Sequence, residues 1–132
     1  MINSDDSGYS GKGIGVCVLD TGIYSHIDFT GRIRAFHDFI GHRIQPYDDN
    51  SHGTHVCGII GGDGRASQGR IRGVAPGCEL IVLKVLDRMG NGRKEDVLRL
   101  FSGFWRTSGI MESVWSIFLS ERLVEHLRII RF

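Results

Sequence analysis

The run I-G-V-C-V-L-D at residues 14–20, entered through the glycine-rich G-K-G, limits the folds open to this chain more than any other segment. A nearly unbroken apolar run of this length suits a parallel strand buried on both faces. E-L-I-V-L-K-V-L at 79–86 has the same character, and Ile33–Phe39 reads as a further short strand. Between them, the turn-forming P-Y-D-D-N-S at 46–51 leads into H-G-T-H-V-C-G-I-I-G at 52–61, which reads as a helix. Residues 62–73 form a polar, glycine-rich loop, and D-R-M-G-N-G at 87–92 is a turn before a helix beginning near Arg93. Strands alternating with helices predict an α/β fold, a parallel sheet with flanking helices. Gly11, Gly13 and Gly15 precede a strand, whereas a dinucleotide-binding loop follows one, so that reading is set aside.

The first strand ends on Asp20, and open α/β sheets gather their sites at the carboxyl ends of strands. Asp20 lies in V-L-D-T-G at 18–22, and His52 follows in D-D-N-S-H-G-T-H-V-C-G at 48–58. An imidazole becomes a useful general base when a carboxylate fixes its tautomer and stabilises its charged form, so the two are candidate acid/base partners. His52 would open its helix, where the dipole favours the neutral ring and keeps it ready to accept a proton.

Together with G-V-A-P at 73–76, these segments resemble, in order, those of the subtilisin-like serine proteases. The resemblance spans residues 11–100 and is nearest to an intracellular-type branch whose histidine helix carries a cysteine. It implies a subtilisin-like fold and a serine endopeptidase with an Asp-His-Ser triad acting on protein or peptide substrates. Asp20 would orient the ring, His52 would be the base, and His55 would be a structural histidine packed against its neighbours. Asp28, in S-H-I-D-F, resembles a calcium-ligating aspartate of some members, and calcium is the one cofactor implied. That ion takes six to eight oxygens, for which the glycine-rich loop at 62–69 offers Asp63, Ser67 and Gln68. A zinc site from Asp49, His52, His55 and Cys57 lacks a recognised ligand spacing. Cys57 reads either as a thiol near the site or as a small buried hydrophobe.

The family's serine motif, G-T-S-M-A-x-P, does not occur in these 132 residues. Asn3, Asn50 and Asn91 lie outside an oxyanion-type A-A-G-N context, and the S-x-G substrate strand expected after the next helix is likewise missing. Domains of this type run to about 200–250 residues, so the chain reads as truncated. It is expected to be inactive alone, since loss of the nucleophile from such a triad costs on the order of 10⁶ in turnover, about 8 kcal/mol of barrier. The alternative is a non-enzymatic protein that binds peptides or a partner. Residues 1–100 are then the N-terminal part of a peptidase domain and 101–132 an atypical tail. The tail has no Ala, Asp, Asn, Gln, Lys, Pro, Tyr or Cys but holds Trp105 and Trp115. That abrupt change fits a shifted reading frame after about Arg99, because synonymous codons allow a family-like helix and strand in the neighbouring frame. The last twelve residues would form an amphipathic helix with Leu123, Leu127 and Ile130 on one face.

A formal charge of +1 gives no reason to expect nucleic acid or an anionic membrane as partner. Arg65, Arg70 and Arg72 read as a solvated loop face. Cys17, Cys57 and Cys78 are odd in number and lack C-x-x-C spacing, and the acidic N-terminus shows no apolar leader core. Reduced thiols and a cytoplasmic location are expected, and no apolar run is long enough to span a bilayer.

Overall fold

A computed structural model describes residues 8–107, 109 and 116–119. Its centre is a four-stranded parallel sheet in the order β2-β3-β1-β4, from β1 (Gly15–Asp20), β2 (Ile33–Asp38), β3 (Glu79–Lys84) and β4 (Ser116–Leu119). Helix α1 runs His52–Gly61, and α2 runs Lys94–Arg99. A π-helical turn, Leu100–Phe104, joins α2 to a single turn, α3, at Trp105–Thr107.

All six residues of β1 are buried, as a strand covered on both faces requires. Alternation then divides the apolar side chains into two layers. Cys17, Leu19, Ile81 and Leu83 pack with Val97 and Leu100 from the α2 side, while Val16, Val18, Leu80 and Val82 pack with Cys57 of α1, Phe29 and Ile23. The sheet therefore carries α1 and α2 on opposite faces, each filling one layer. β2 is partly exposed, and its Arg34 pairs with Glu79 at 2.6 Å across the outer register.

The observed strands match the expected α/β architecture with small changes of boundary. β3 stops at Lys84, and Leu86 instead forms an isolated bridge to Gly92. The glycine-rich segment after α1 is more ordered than a loop reading implies: it contains a 3-10 turn at Arg65–Ser67 and closes through Gly73 N–H to Gly62 carbonyl at 2.8 Å. The largest difference is β4. Sequence reading found no strand in the tail, yet Ser116–Leu119 pair with Val16–Leu19 and cover the edge that β1 would otherwise expose. Four residues without alternation carry too little pattern to be recognised alone, and the pairing partner supplies the missing specification. The amphipathic helix expected over 121–132 lies outside the described residues.

The three cysteines are free and buried. Burial pushes the Cys17 thiol up to about 12, and burial foremost, with Asp20 and Asp48 nearby, also raises Cys57, so neither is poised as a thiolate. Among the described residues, no helix is long and apolar enough to cross a membrane.

Leu80, fully buried beneath α1, and Leu98, exposed on α2, provide a direct check on where the core lies. Leu80→Ala is expected to cost about 2–5 kcal/mol in urea unfolding and Leu98→Ala no more than about 0.5 kcal/mol. Equal losses would contradict the two-layer packing.

Candidate active site

The site grows from the first turn of α1. The N–H groups that open a helix have no carbonyl partner within it and must be satisfied from outside. Ser51, the N-cap, has φ 82° and makes no side-chain cap of its own. Three other side chains do the work. Asn50 Oδ1 accepts the His52 N–H at 3.2 Å, Thr21 Oγ1 accepts the Gly53 N–H at 2.9 Å, and Asp48 Oδ2 accepts the Thr54 N–H at 2.9 Å. Thr21 in turn donates its hydroxyl to Asp48 Oδ1 at 2.9 Å, so the residue after Asp20 and the loop before His52 are tied to one helix terminus.

Two glycines allow this approach. A Cβ on Gly53 would lie 2.2 Å from the Gly22 carbonyl oxygen, and one on Gly22, whose φ is +122°, would lie 2.1 Å from the Tyr47 oxygen. Both contacts are with backbone, which has little freedom to retreat.

The clamp brings Asp20 and His52 together. His52 Nδ1 lies 2.8 Å from Asp20 Oδ1 and 3.0 Å from Oδ2. A carboxylate only accepts, so Nδ1 carries the hydrogen, and in the neutral ring Nε2 then holds the lone pair. Asp20 is fully buried and also accepts the Thr21 N–H at 2.7 Å, while the His52 side chain is 54% exposed. One end of the ring is therefore anchored in the protein interior and the other is accessible.

Asp48 is a charged cap. Burial alone would raise its pKa, but hydrogen bonds from the Thr54 hydroxyl and amide and from the Asn50 and Ser51 amides outweigh burial and hold it below its ordinary value. Asp38, at the end of β2, behaves in the same way: against the raising effect of burial, the Tyr47 hydroxyl and the amides of Arg43, Gly41 and Ile40 keep it low. It thereby folds the 39–47 segment back so that the Tyr47 carbonyl meets the Ile23 N–H at 3.1 Å.

Sequence reading did not identify Thr21, Asp48, Asn50 or Lys84 as parts of this arrangement. The Asp and Asn just ahead of a helix were a capping signal, and Lys84 was a lone charge in an apolar strand. His55, expected as a structural histidine packed against its neighbours, is exposed and lines a cleft with Tyr24 and His26. At the calcium site expected at Asp28, the carboxylates are engaged by donors of the protein itself. Asp28 Oδ1 accepts the Ala66 N–H at 2.7 Å, and Asp63 Oδ2 is held by Arg65 Nε at 3.0 Å. Among the described residues, no three His, Cys, Asp or Glu side chains converge as metal ligands. The zinc grouping is dispersed as well, with Asp49 bonded to Lys84 and Cys57 in the core beneath α1.

Residues 11–102 match the Subtilase family model. The chain belongs to the subtilase family. It is 47% identical over 89 residues to the serine protease AprX of Bacillus subtilis (strain 168), covering 67% of this chain and 20% of that protein. It is 41% identical over 95 residues to proteinase T of Parengyodontium album, covering 71% of this chain and 29% of that relative. A crystal structure of a cold-adapted subtilisin-like serine proteinase superposes with a TM-score of 0.60 at 34% identity, over 69% of this chain and 31% of the other. The chain thus spans between a fifth and a third of these subtilases.

Acid should dismantle the clamp. Asp38 and Asp48 have folded pKa values below their unfolded ones, so the stability they contribute is present above the unfolded value, about 3.9, and is lost as pH falls through the folded values. Helical circular dichroism is expected to fall below about pH 4, and Asp48→Asn should lower neutral-pH stability and flatten the acid limb. A chain that gains stability on acidification, or an unchanged profile in Asp48→Asn, would contradict this.

Proposed function

We propose that this chain carries the aspartate and histidine of a serine endopeptidase whose nucleophile and oxyanion donors belong to a segment it lacks. The single observation behind the proposal is the Asp20–His52 hydrogen bond at 2.8 Å, with the carboxylate buried and the far side of the ring accessible. In this reading His52 Nε2 takes the proton from a serine hydroxyl as that oxygen attacks a peptide carbonyl. It then returns the proton to the departing amine. Asp20 keeps the Nδ1–H tautomer and stabilises the imidazolium formed between the two steps. The substrate is a protein or peptide, and no step requires a metal ion.

The chain alone should be inert toward peptides, and a fluorophosphonate probe should label none of its serines. Joining residues 1–99 to the remainder of a complete subtilase should produce a peptidase. In that chimera His52→Ala should reduce turnover by about 10⁶ and Asp20→Asn by about 10⁴. An active chimera indifferent to His52→Ala would overturn the assignment. Stoichiometric labelling of a serine in the unmodified chain, abolished by His52→Ala, would show that the nucleophile is present after all.

A further inference from the structure

Lys84 is fully buried at the end of β3, yet its ammonium takes no part in the chemistry described above. Its three hydrogens have three acceptors: the Thr21 carbonyl at 2.6 Å, the Leu86 carbonyl at 2.9 Å and Asp49 Oδ1 at 2.8 Å. The Tyr47 ring lies beneath it, 5.1 Å from Nζ to the centroid. Every direction open to the ammonium is thus used.

These partners belong to the segments that carry the site. Thr21 follows Asp20, whose own carbonyl accepts the Val85 and Leu86 N–H groups at 3.0 and 3.2 Å. Asp49 follows the capping Asp48 and stands three residues before His52. One cation therefore joins the exit of β1, the exit of β3 and the loop that starts α1. The geometry points to Lys84 as a positioning residue for the Asp20–His52 pair, holding the aspartate strand and the histidine loop in register through the Thr21 carbonyl and Asp49. This rests on the reading of that pair as catalytic. Lys84 itself touches neither substrate nor the reacting atoms, so its effect is on the geometry of the His52 hydrogen bond.

The test is nuclear magnetic resonance of the full 132-residue chain with ¹⁵N-labelled histidine, which reads the His52 tautomer and the hydrogen-bonded Nδ1 proton without requiring turnover. In the parent, His52 should show a single Nδ1–H tautomer with a downfield proton. Lys84→Met and Asp49→Ala should lose that proton signal and mix the tautomers, whereas Asp49→Asn, which keeps an acceptor oxygen at the same reach, should retain it. Lys84→Met can fail to fold because it leaves two carbonyls unpaired in the interior. The Asp49 side chain is partly exposed, 42% accessible, so its replacement leaves no carbonyl unpaired in the interior and the Ala and Asn pair then decides the matter. Unchanged His52 resonances in Asp49→Ala, or equal loss in Asp49→Asn and Asp49→Ala, would overturn the proposal. An inactive chimera alongside the expected resonances would remove the peptidase reading and leave the positioning role standing.

Discussion

The start of α1 is the constraint on which the rest of the structure depends. A helix terminus inside a protein presents N–H groups that must find acceptors, and here those acceptors come from residues distant in sequence. Thr21, at the end of the central strand, caps Gly53, and Asp48 caps Thr54 while also receiving the Thr21 hydroxyl. Satisfying the helix is therefore the same act as bringing the ends of β1 and the 48–51 loop together. The glycines at 22 and 53 make the approach sterically possible.

Electrostatics follow from that geometry. Removing a carboxylate from water is costly unless donors surround it, and Asp20, Asp38 and Asp48 each have them. Asp20 alone directs one of its bonds to an imidazole. The others face amides, hydroxyls or phenol and serve as anchors for turns. Among three acidic groups of similar chemistry, the partner distinguishes the one suited to proton transfer.

Much of this was legible in the residues. The apolar runs at 14–20 and 79–86 specified buried parallel strands because full burial on both faces leaves no polar alternation, and the Asp20–His52 spacing stood out as a constellation. What could not be read was anything decided by partners. β4 exists as a strand because β1 offers it an edge, and Thr21 looked like an ordinary residue after an aspartate until the helix terminus met it. Lys84 gave no sign of its partners, and only the convergence of two carbonyls and Asp49 explains how a charge resides in a strand of aliphatic residues. The exposure of His55 was not legible either, because which face of α1 meets the sheet depends on how α1 packs on β1.

The central claim is that side chains from separate segments terminate α1 and so set His52 against Asp20. Amide hydrogen exchange at Gly53 and Thr54 measures it most directly, because first-turn amides of an uncapped helix exchange almost freely. Protection at both residues should match the interior of α1, and Thr21→Val, which keeps the shape but removes the hydroxyl, should abolish it at Gly53. Free exchange at these amides in the parent chain, or full protection of Gly53 in Thr21→Val, would contradict the account.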